Sequence, residues 1–332
     1  MVSGGPADVR APGVHLKAAR KTFVIFNPAA GRGRGARRLA SYQALLADEL
    51  PGFGFGITTF AGEERDLADR ALAGGYELLV AVGGDGTWSN VADRVVASGR
   101  EDVVFGVLPN GTGNDFGRNL GFDPSDPGEA VRVLRTGHTR AIDVGRLETP
   151  SASEHRPELS EARHFINLIG FGFDIAVIDA AARARFLRGE LLYKVTALQQ
   201  LFRFPGVRFG LETSEGTRRD ETHLMLTVSN GRYFGGGFPI APEARMDDGC
   251  LHACRIGDAT PLGRLRLFNL AQRGRHVLDP RVEVLSDTRF RLDFDRPPRF
   301  EMDGDIRNAQ DPTVVAQILP QALRVVTPPP TA

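Results

Sequence analysis

Between residues 22 and 108 the chain repeats one grammar. A short apolar run is followed by a turn rich in glycine, asparagine or proline, and then by a stretch whose apolar residues recur at helical spacing. The apolar runs fall at 22–26, 55–60, 77–82 and 103–108. Between them, Leu39, Tyr42, Leu45 and Leu46 recur at spacings of three and four, and the stretches 63–73 and 88–98 are also helical in pattern. Strands that alternate with helices in this way bury their apolar surface as a parallel sheet with helices on both faces. The first part of the chain is therefore expected to be a doubly wound α/β domain.

After about residue 140 the grammar changes. A polar stretch at 148–163 reads as an exposed loop. Short strand patterns then follow at 165–169, 207–212, 224–229, 251–256, 282–286, 289–294, 299–302, 313–318 and 323–327, with turn signals between them. This is the pattern of a mostly antiparallel β-sandwich, interrupted by helical segments at 175–202 and 261–272. Residues 1–20 mix Gly, Pro and Ala without an apolar period and read as a flexible tail. At 332 residues the chain is long enough for two domains with cores of their own. The boundaries expected are a tail over 1–20, an α/β domain over 21–140 and a sandwich over 141–332.

Composition excludes several classes. Lysine plus arginine and aspartate plus glutamate both number 41, so bulk charge does not bind nucleic acid here. Cys250 and Cys254 are the only cysteines, too few for a disulfide framework or a four-ligand zinc site. No apolar run approaches the length of a membrane span, and the N-terminus has no apolar signal core, so a soluble, cytoplasmic protein is expected.

The chemistry concentrates in three loops. Gly83-Gly84-Asp85-Gly86-Thr87 lies between an apolar strand and a helix. Glycines there let the backbone approach a phosphate, and the helix start supplies N–H donors. Asp85 would repel a bare phosphate, which points to a divalent cation or a ligand hydroxyl. Pro109-Asn110-Gly111-Thr112-Gly113-Asn114-Asp115 repeats the logic after the next strand and again carries one acid. Two such loops on one sheet would face each other across a ligand crevice. The first loop, Asn27 to Ala36, satisfies only a loose dinucleotide fingerprint, through Gly31, Gly33 and Ala36. A P-loop is excluded, because no lysine among Lys17, Lys21 and Lys194 follows a glycine, and no G-x-S-x-G elbow is present.

Taken together, NPAAG, GGDGT and LPNGTGND, in this order and spacing, resemble the diacylglycerol kinase catalytic-domain family of soluble bacterial lipid kinases and of sphingosine and ceramide kinases. The resemblance continues through Ile142-Asp143-Val144-Gly145, Asn167, Ser229-Asn230-Gly231, Gly235-Gly236-Gly237, Arg245-Met246-Asp247-Asp248-Gly249 and Met302-Asp303-Gly304-Asp305. It implies an ATP-dependent kinase whose first domain binds the nucleotide and whose sandwich binds a lipid, most simply diacylglycerol converted to phosphatidic acid. By the same resemblance Asn27, Pro28, Gly31, Thr58 or Thr59, Gly84, Asp85, Gly86, Thr87, Asn90 and Thr112 would line the ATP site. Asp85, Asp115 and Asp143 would organise Mg2+, and Asp305 or its neighbour Asp303 would accept the proton. A second, structural Mg2+ would lie at the DDG turn, held by the Asp248 carboxylate and the main-chain oxygens of Arg245 and Cys250. Two positions depart from the family pattern: Asp305 replaces the usual glutamate, and Asn90 stands where a glutamate is common.

A lipid acceptor implies transient contact with a membrane surface and a peripheral place at the inner membrane. The basic and apolar segment 181–204 is the candidate for that contact. A homodimer is compatible with the sequence, and no nucleic-acid partner is expected. Two other readings stay open on the same fold, a soluble small-molecule kinase related to NAD kinases and a non-catalytic lipid or nucleotide sensor.

Overall fold

The computed structural model describes residues 14–15, 20–31, 33, 35–50, 52–136, 138–148, 163–183, 199 and 202–329. Of the expected tail, β1 (Val14–His15) pairs antiparallel with His138 and Thr139. The alternating first part forms β2 (Thr22–Phe26), α1 (Leu39–Glu49), β3 (Gly54–Ile57), α2 (Glu63–Ala73), β4 (Leu78–Gly83), α3 (Asp85–Ala97) and β5 (Val104–Pro109). Its four strands pair in parallel in the order β3-β2-β4-β5. Every residue of β4 and β5 is buried, as strands covered on both faces require. The short α4 (Asp115–Asn119) and the helix α5 (Pro127–Thr136) follow. Helix α1 packs beside α5, and α2 beside α3.

Two long strands join the lobes. β6 (His138–Glu148) and β18 (Thr313–Thr327) form an antiparallel ladder from Val315↔Glu148 to Thr327↔His138, with a register shift between Leu319 and Leu323. The two strand patterns expected at 313–318 and 323–327 are thus one strand bent at a bulge. The C-terminal half of β18 reaches the first sheet through Val325↔Phe105. Ile142, Val144, Leu323 and Val325 all lie in the first core, so the boundary expected at residue 140 falls inside a strand that both lobes share.

The second lobe is the expected antiparallel sandwich. Its strands are β7 (Arg163–Phe165), β8 (Leu168–Gly172), β9 (Val207–Thr213), β10 (Gly216–Ser229), β13 (Leu251–Gly257), β14 (Val282–Asp287), β15 (Arg289–Asp293), β16 (Arg299–Met302) and β17 (Asp305–Asn308), with the two-residue hairpin β11 (Tyr233–Phe234) and β12 (Phe238–Pro239). The main path runs β17-β16-β8-β10-β9-β15-β18, and β13 pairs with both β10 and β14. Phe165, Phe171, Phe209, Phe290 and Phe300 fill its core. Helix α6 (Phe173–Arg183) begins the segment expected to be helical over 175–202, most of which lies outside the described residues. Helix α7 (Pro261–Ala271) matches the second expected helix, and Thr260 caps it by accepting from Gly263 N.

Candidate active site

The three loops singled out in the sequence meet at the carboxyl ends of the parallel strands. Asn27 N donates to Val82 O at 2.9 Å, and Asn110 N donates to Gly83 O at 2.7 Å. The two glycine loops touch backbone to backbone: a Cβ on Gly111 would fall 2.5 Å from Gly84 Cα, closer than real atoms approach, so only glycine fits. Asn27 Nδ2 donates to Thr87 Oγ1 at 2.9 Å, which ties the first loop to the first turn of α3. Pro28 and Gly31 lie on the same loop, with Pro28 O accepting from Ala36 N and Gly31 packed against Asn110 O. Thr112 is exposed on the third loop. Thr58 is buried behind β3, and Thr59 gives its hydroxyl to Glu63 at 2.8 Å, at the start of α2.

Three acids converge at this edge. Asp85 is the first residue of α3, and its Oδ1 accepts from Phe116 N at 3.0 Å. Asp115 is the first residue of α4; its Oδ2 accepts from Gly236 N at 2.8 Å and its Oδ1 pairs with Arg118 at 3.2 Å. A Cβ on Gly113 would lie 2.9 Å from Asp85 Oδ2 and 3.6 Å from Asp115 Oδ2, so the two carboxylates flank one backbone position. Asp305, at the start of β17, comes from the other lobe, and its Oδ1 would sit 2.9 Å from a Cβ on Gly86 in the first turn of α3. Burial, with the Asp115 charge second, pushes Asp85 up to about 7. Burial also raises Asp115 and Asp305, the latter against the pull of Arg307.

Asp303, two residues before Asp305, has a different setting. Its Oδ2 accepts from Ser89 Oγ at 2.7 Å and Ile166 N at 2.8 Å, and its Oδ1 accepts from Asn167 N and Leu168 N, both at 2.9 Å. Burial pushes it up to about 6 while these four donors favour the ionised form. Its oxygens are fully engaged in joining α3 to the turn between β7 and β8.

One grouping expected from the sequence is corrected. Asp143 does not join Asp85 and Asp115. Its Oδ1 accepts from Gln321 N at 2.8 Å and its Oδ2 from Gly249 N at 2.7 Å, and its acidic neighbours are Asp248 and Asp247. Its work is to pin the β18 bulge to the DDG turn. At that turn the Asp248 carboxylate accepts from Cys250 N at 3.0 Å and Arg245 N at 3.3 Å and meets His252 Nε2 at 2.9 Å. The residues expected to hold a cation, Asp248, Arg245 and Cys250, thus meet at one turn, where the carboxylate's partners are two backbone amides and an imidazole. Among the described residues no cluster of three or more His, Cys, Asp or Glu side chains is arranged to hold a metal.

The comparisons with known proteins divide the chain where the lobes divide it. The family model described as the diacylglycerol kinase catalytic domain matches residues 21–147, and the one described as the YegS C-terminal NAD kinase beta sandwich-like domain matches residues 167–327. The first lobe carries a diacylglycerol kinase catalytic domain. A protein named diacylglycerol kinase from Mycobacterium tuberculosis is 29% identical over 315 residues, covering 93% of this chain and 95% of the relative. One of the same name from Bacillus subtilis is 26% identical over 290 residues, covering 86% and 90%. A crystal structure titled as a diacylglycerol kinase from Bacillus anthracis str. Sterne shares the fold, with a TM-score of 0.71 at 18% identity over 95% of this chain and 99% of that one. That domain and these relatives make the protein a kinase with an alcohol group as acceptor, which implies ATP use.

Around this diacylglycerol kinase catalytic domain, several contacts of the site were not foreseen. Arg118 Nη1 donates both to Gly113 O and to Asp115 Oδ1, fixing the third loop. The triple glycine places Gly235, Gly236 and Gly237 at φ 62°, 89° and 111°, a turn that aims the Gly236 amide at Asp115. Asn90 is held by two side chains: its Nδ2 donates to Glu64 Oε1 at 2.8 Å, and its Oδ1 accepts from Arg307 Nη2 at 3.3 Å. The same Arg307 nitrogen lies 3.3 Å from Asp305 Oδ2. The signal for Arg307 was the period-2 spacing that puts residues 305 and 307 on one face of a strand.

Proposed function

We infer that this kinase transfers the γ-phosphate of ATP to a lipid hydroxyl, with diacylglycerol as acceptor and phosphatidic acid as product. The observation that carries the reading is the Asp305 carboxylate of the sandwich lobe standing over Gly86 in the first turn of α3, the residue next to Asp85, while Asp85 and Asp115 flank the Gly113 backbone of the other glycine loop. The Gly84–Gly86 turn and the α3 N-terminus offer backbone N–H groups and a positive dipole end to phosphate oxygens. Asp85 and Asp115 present hard oxygen donors that burial and mutual repulsion leave short of positive charge, which suits Mg2+. When bound there, Mg2+ would neutralise charge on the β and γ phosphates.

Asp305 acts as the proton acceptor: the acceptor hydroxyl gives its proton to the carboxylate as its oxygen bonds to phosphorus and the bond to the bridging oxygen breaks. Asp303 is a positioning residue. Its four hydrogen bonds hold the β16–β17 turn against α3, so that the next side chain but one reaches the phosphates. The relatives named diacylglycerol kinase support the choice of lipid. Incubation with labelled ATP, Mg2+ and a lipid extract, followed by identification of the product, tests the reading. Labelled phosphatidic acid is expected; label only in water-soluble sugars or nucleotides would replace this reading with that of a soluble-substrate kinase.

A further inference from the structure

We propose that helix α7 and the turn after it, residues 261–281, form a docking face for an anionic lipid bilayer beside the active-site cleft. The proposal deepens the lipid-kinase reading and rests on it for its purpose, while its evidence is separate. The segment carries Arg264, Arg266, Arg273, Arg275 and Arg281 against a single acid, Asp279. That acid is buried beneath Arg281 at 2.8 Å and Arg266 at 4.0 Å, so it offers no negative charge to the surface.

Apolar side chains protrude from this basic surface. Leu262 is 76% exposed and Leu278 is 81% exposed, the two most exposed large apolar side chains among the described residues. Helix α7 buries Arg264, Leu267 and Ala271 and turns Leu262, Arg266, Asn269 and Arg273 outward, one stripe at helical spacing. The Arg266–Asp279 pair and the approach of Arg281 to Gly263 lay the return segment along α7, which brings Leu278 to the same side as Leu262. Arg264 turns inward to Asp258 and to Phe204 O, which places the neighbouring Phe202, 54% exposed, near the start of α7. Leucines standing proud among arginines, with no exposed acid in the segment, match the apolar depth and negative surface of an anionic bilayer.

The face is coupled to the site through one hairpin. Phe268 of α7 stacks on Phe238 at 5.4 Å, and Gly274 packs on Pro239 and Pro242. The turn of that hairpin supplies the Gly236 amide to Asp115. A bilayer seated on α7 would therefore lie next to the cleft where the acceptor hydroxyl is needed. The expected membrane segment 181–204 lies mostly outside the described residues; its end, at Phe202 and Phe204, adjoins this face.

The test is co-sedimentation of the full chain with vesicles of phosphatidylglycerol and phosphatidylcholine against phosphatidylcholine alone. The wild type is expected to prefer the anionic vesicles, and Leu262→Asp/Leu278→Asp and Arg273→Glu/Arg275→Glu each to lower that binding by about tenfold. Both variants should keep the wild-type melting temperature and the wild-type rate on short-chain diacylglycerol in detergent micelles. Variants that sediment like the wild type, or a wild type without anionic preference, would overturn the proposal. So would a leucine variant that turns a dimer into a monomer and still binds vesicles, which would assign the face to a second copy. Anionic binding through this face without phosphorylation of any lipid would uphold the face and sink the lipid-kinase reading instead.

Discussion

Asp85 stands at the start of α3 and Asp93 in its middle, and for both of them burial is the largest single influence on the carboxyl. The outcomes are opposite. Asp85 is pushed up to about 7, whereas Asp93 is drawn down to about 2 by His164 and Arg65 in spite of its burial. Asp93 accepts from His164 N at 2.9 Å, meets His164 Nδ1 at 2.9 Å and pairs with Arg65, which fastens α3 to α2 and β7. Asp85 accepts backbone N–H groups from Phe116 and Asn114, but no cation of the described residues ranks among the main influences on its carboxyl, and it faces the carboxylate of Asp115. One residue type on one helix thus serves structure where its donors are complete and is left wanting a cation where they are not. Asp303 and Asp305 repeat the contrast in donors across a single turn of the other lobe, although burial raises both.

The largest effect is expected at the start of the helix. Asp85→Asn should lower kcat by about 10³-fold, since it removes a charge that positions the metal-bound phosphates. The same change relieves a buried like-charge contact, so its melting temperature at pH 8 in chelator should match or exceed the wild type. Steady-state phosphorylation and thermal unfolding on one preparation check both. An active variant would remove Asp85 from the mechanism, and an unfolded one would class it with Asp93.

The second contrast is sharpened by a pair of variants. Asp305→Asn should cost kcat about 10²-fold or more with stability unchanged, as loss of a proton acceptor does. Asp303→Asn should instead cost about 2 kcal/mol of stability, because an amide cannot accept from all four donors that now face the carboxylate. Urea unfolding alongside kcat separates the two. A stable, inactive Asp303→Asn beside an active Asp305→Asn would reverse the assignment.

At Asp93 the expected effect is on stability and on its pH dependence. The folded value of about 2 lies below the unfolded value of 3.8, so the ionised pair stabilises the fold above about pH 4, and the contribution is lost as pH falls towards 2. The shift corresponds to about 2 kcal/mol. Asp93→Asn should therefore be less stable than the wild type at pH 7 by roughly that amount, with the gap closing between pH 4 and pH 2 in urea titrations. A gap that persists at pH 2 would mean that packing, and not the charge, holds α3 to β7.

Much of this arrangement was legible in the sequence, and the rest was hidden for identifiable reasons. The alternation over 22–108 and the loops at Asn27, Gly84 and Gly111 led directly to the parallel sheet and its crowded edge, because period and glycine content are local properties. β6 was missed and β18 was read as two strands, because the bulge at residues 320–322 interrupts the period and Gln321 takes a φ of 51°. The grouping of Asp143 with Asp85 failed for another reason: which amide a carboxylate faces depends on loops far apart in the chain, here those of Gly249 and Gln321. The roles of Asp303 and Asp305 were left open because a positive φ at Asp303 and at Gly304 turns the two side chains to different surroundings.

The smallest expected effect concerns Asn90, which the family resemblance placed on the nucleotide and the structure places between Glu64 and Arg307. An amide suits that position because it donates to one partner and accepts from the other; a glutamate would set a second carboxylate against the buried Glu64. Asn90→Ala should free Arg307 from one of its two acceptors and let Asp305 wander, which costs about 1 kcal/mol of orientation and lowers kcat by about threefold to tenfold. The KM for ATP should not change, since no atom of Asn90 is asked to touch the nucleotide. Asn90→Glu should be at least as slow, and less stable through repulsion with Glu64. If instead the KM for ATP rises and kcat holds, Asn90 binds the nucleotide after all, and Arg307 positions Asp305 without its help.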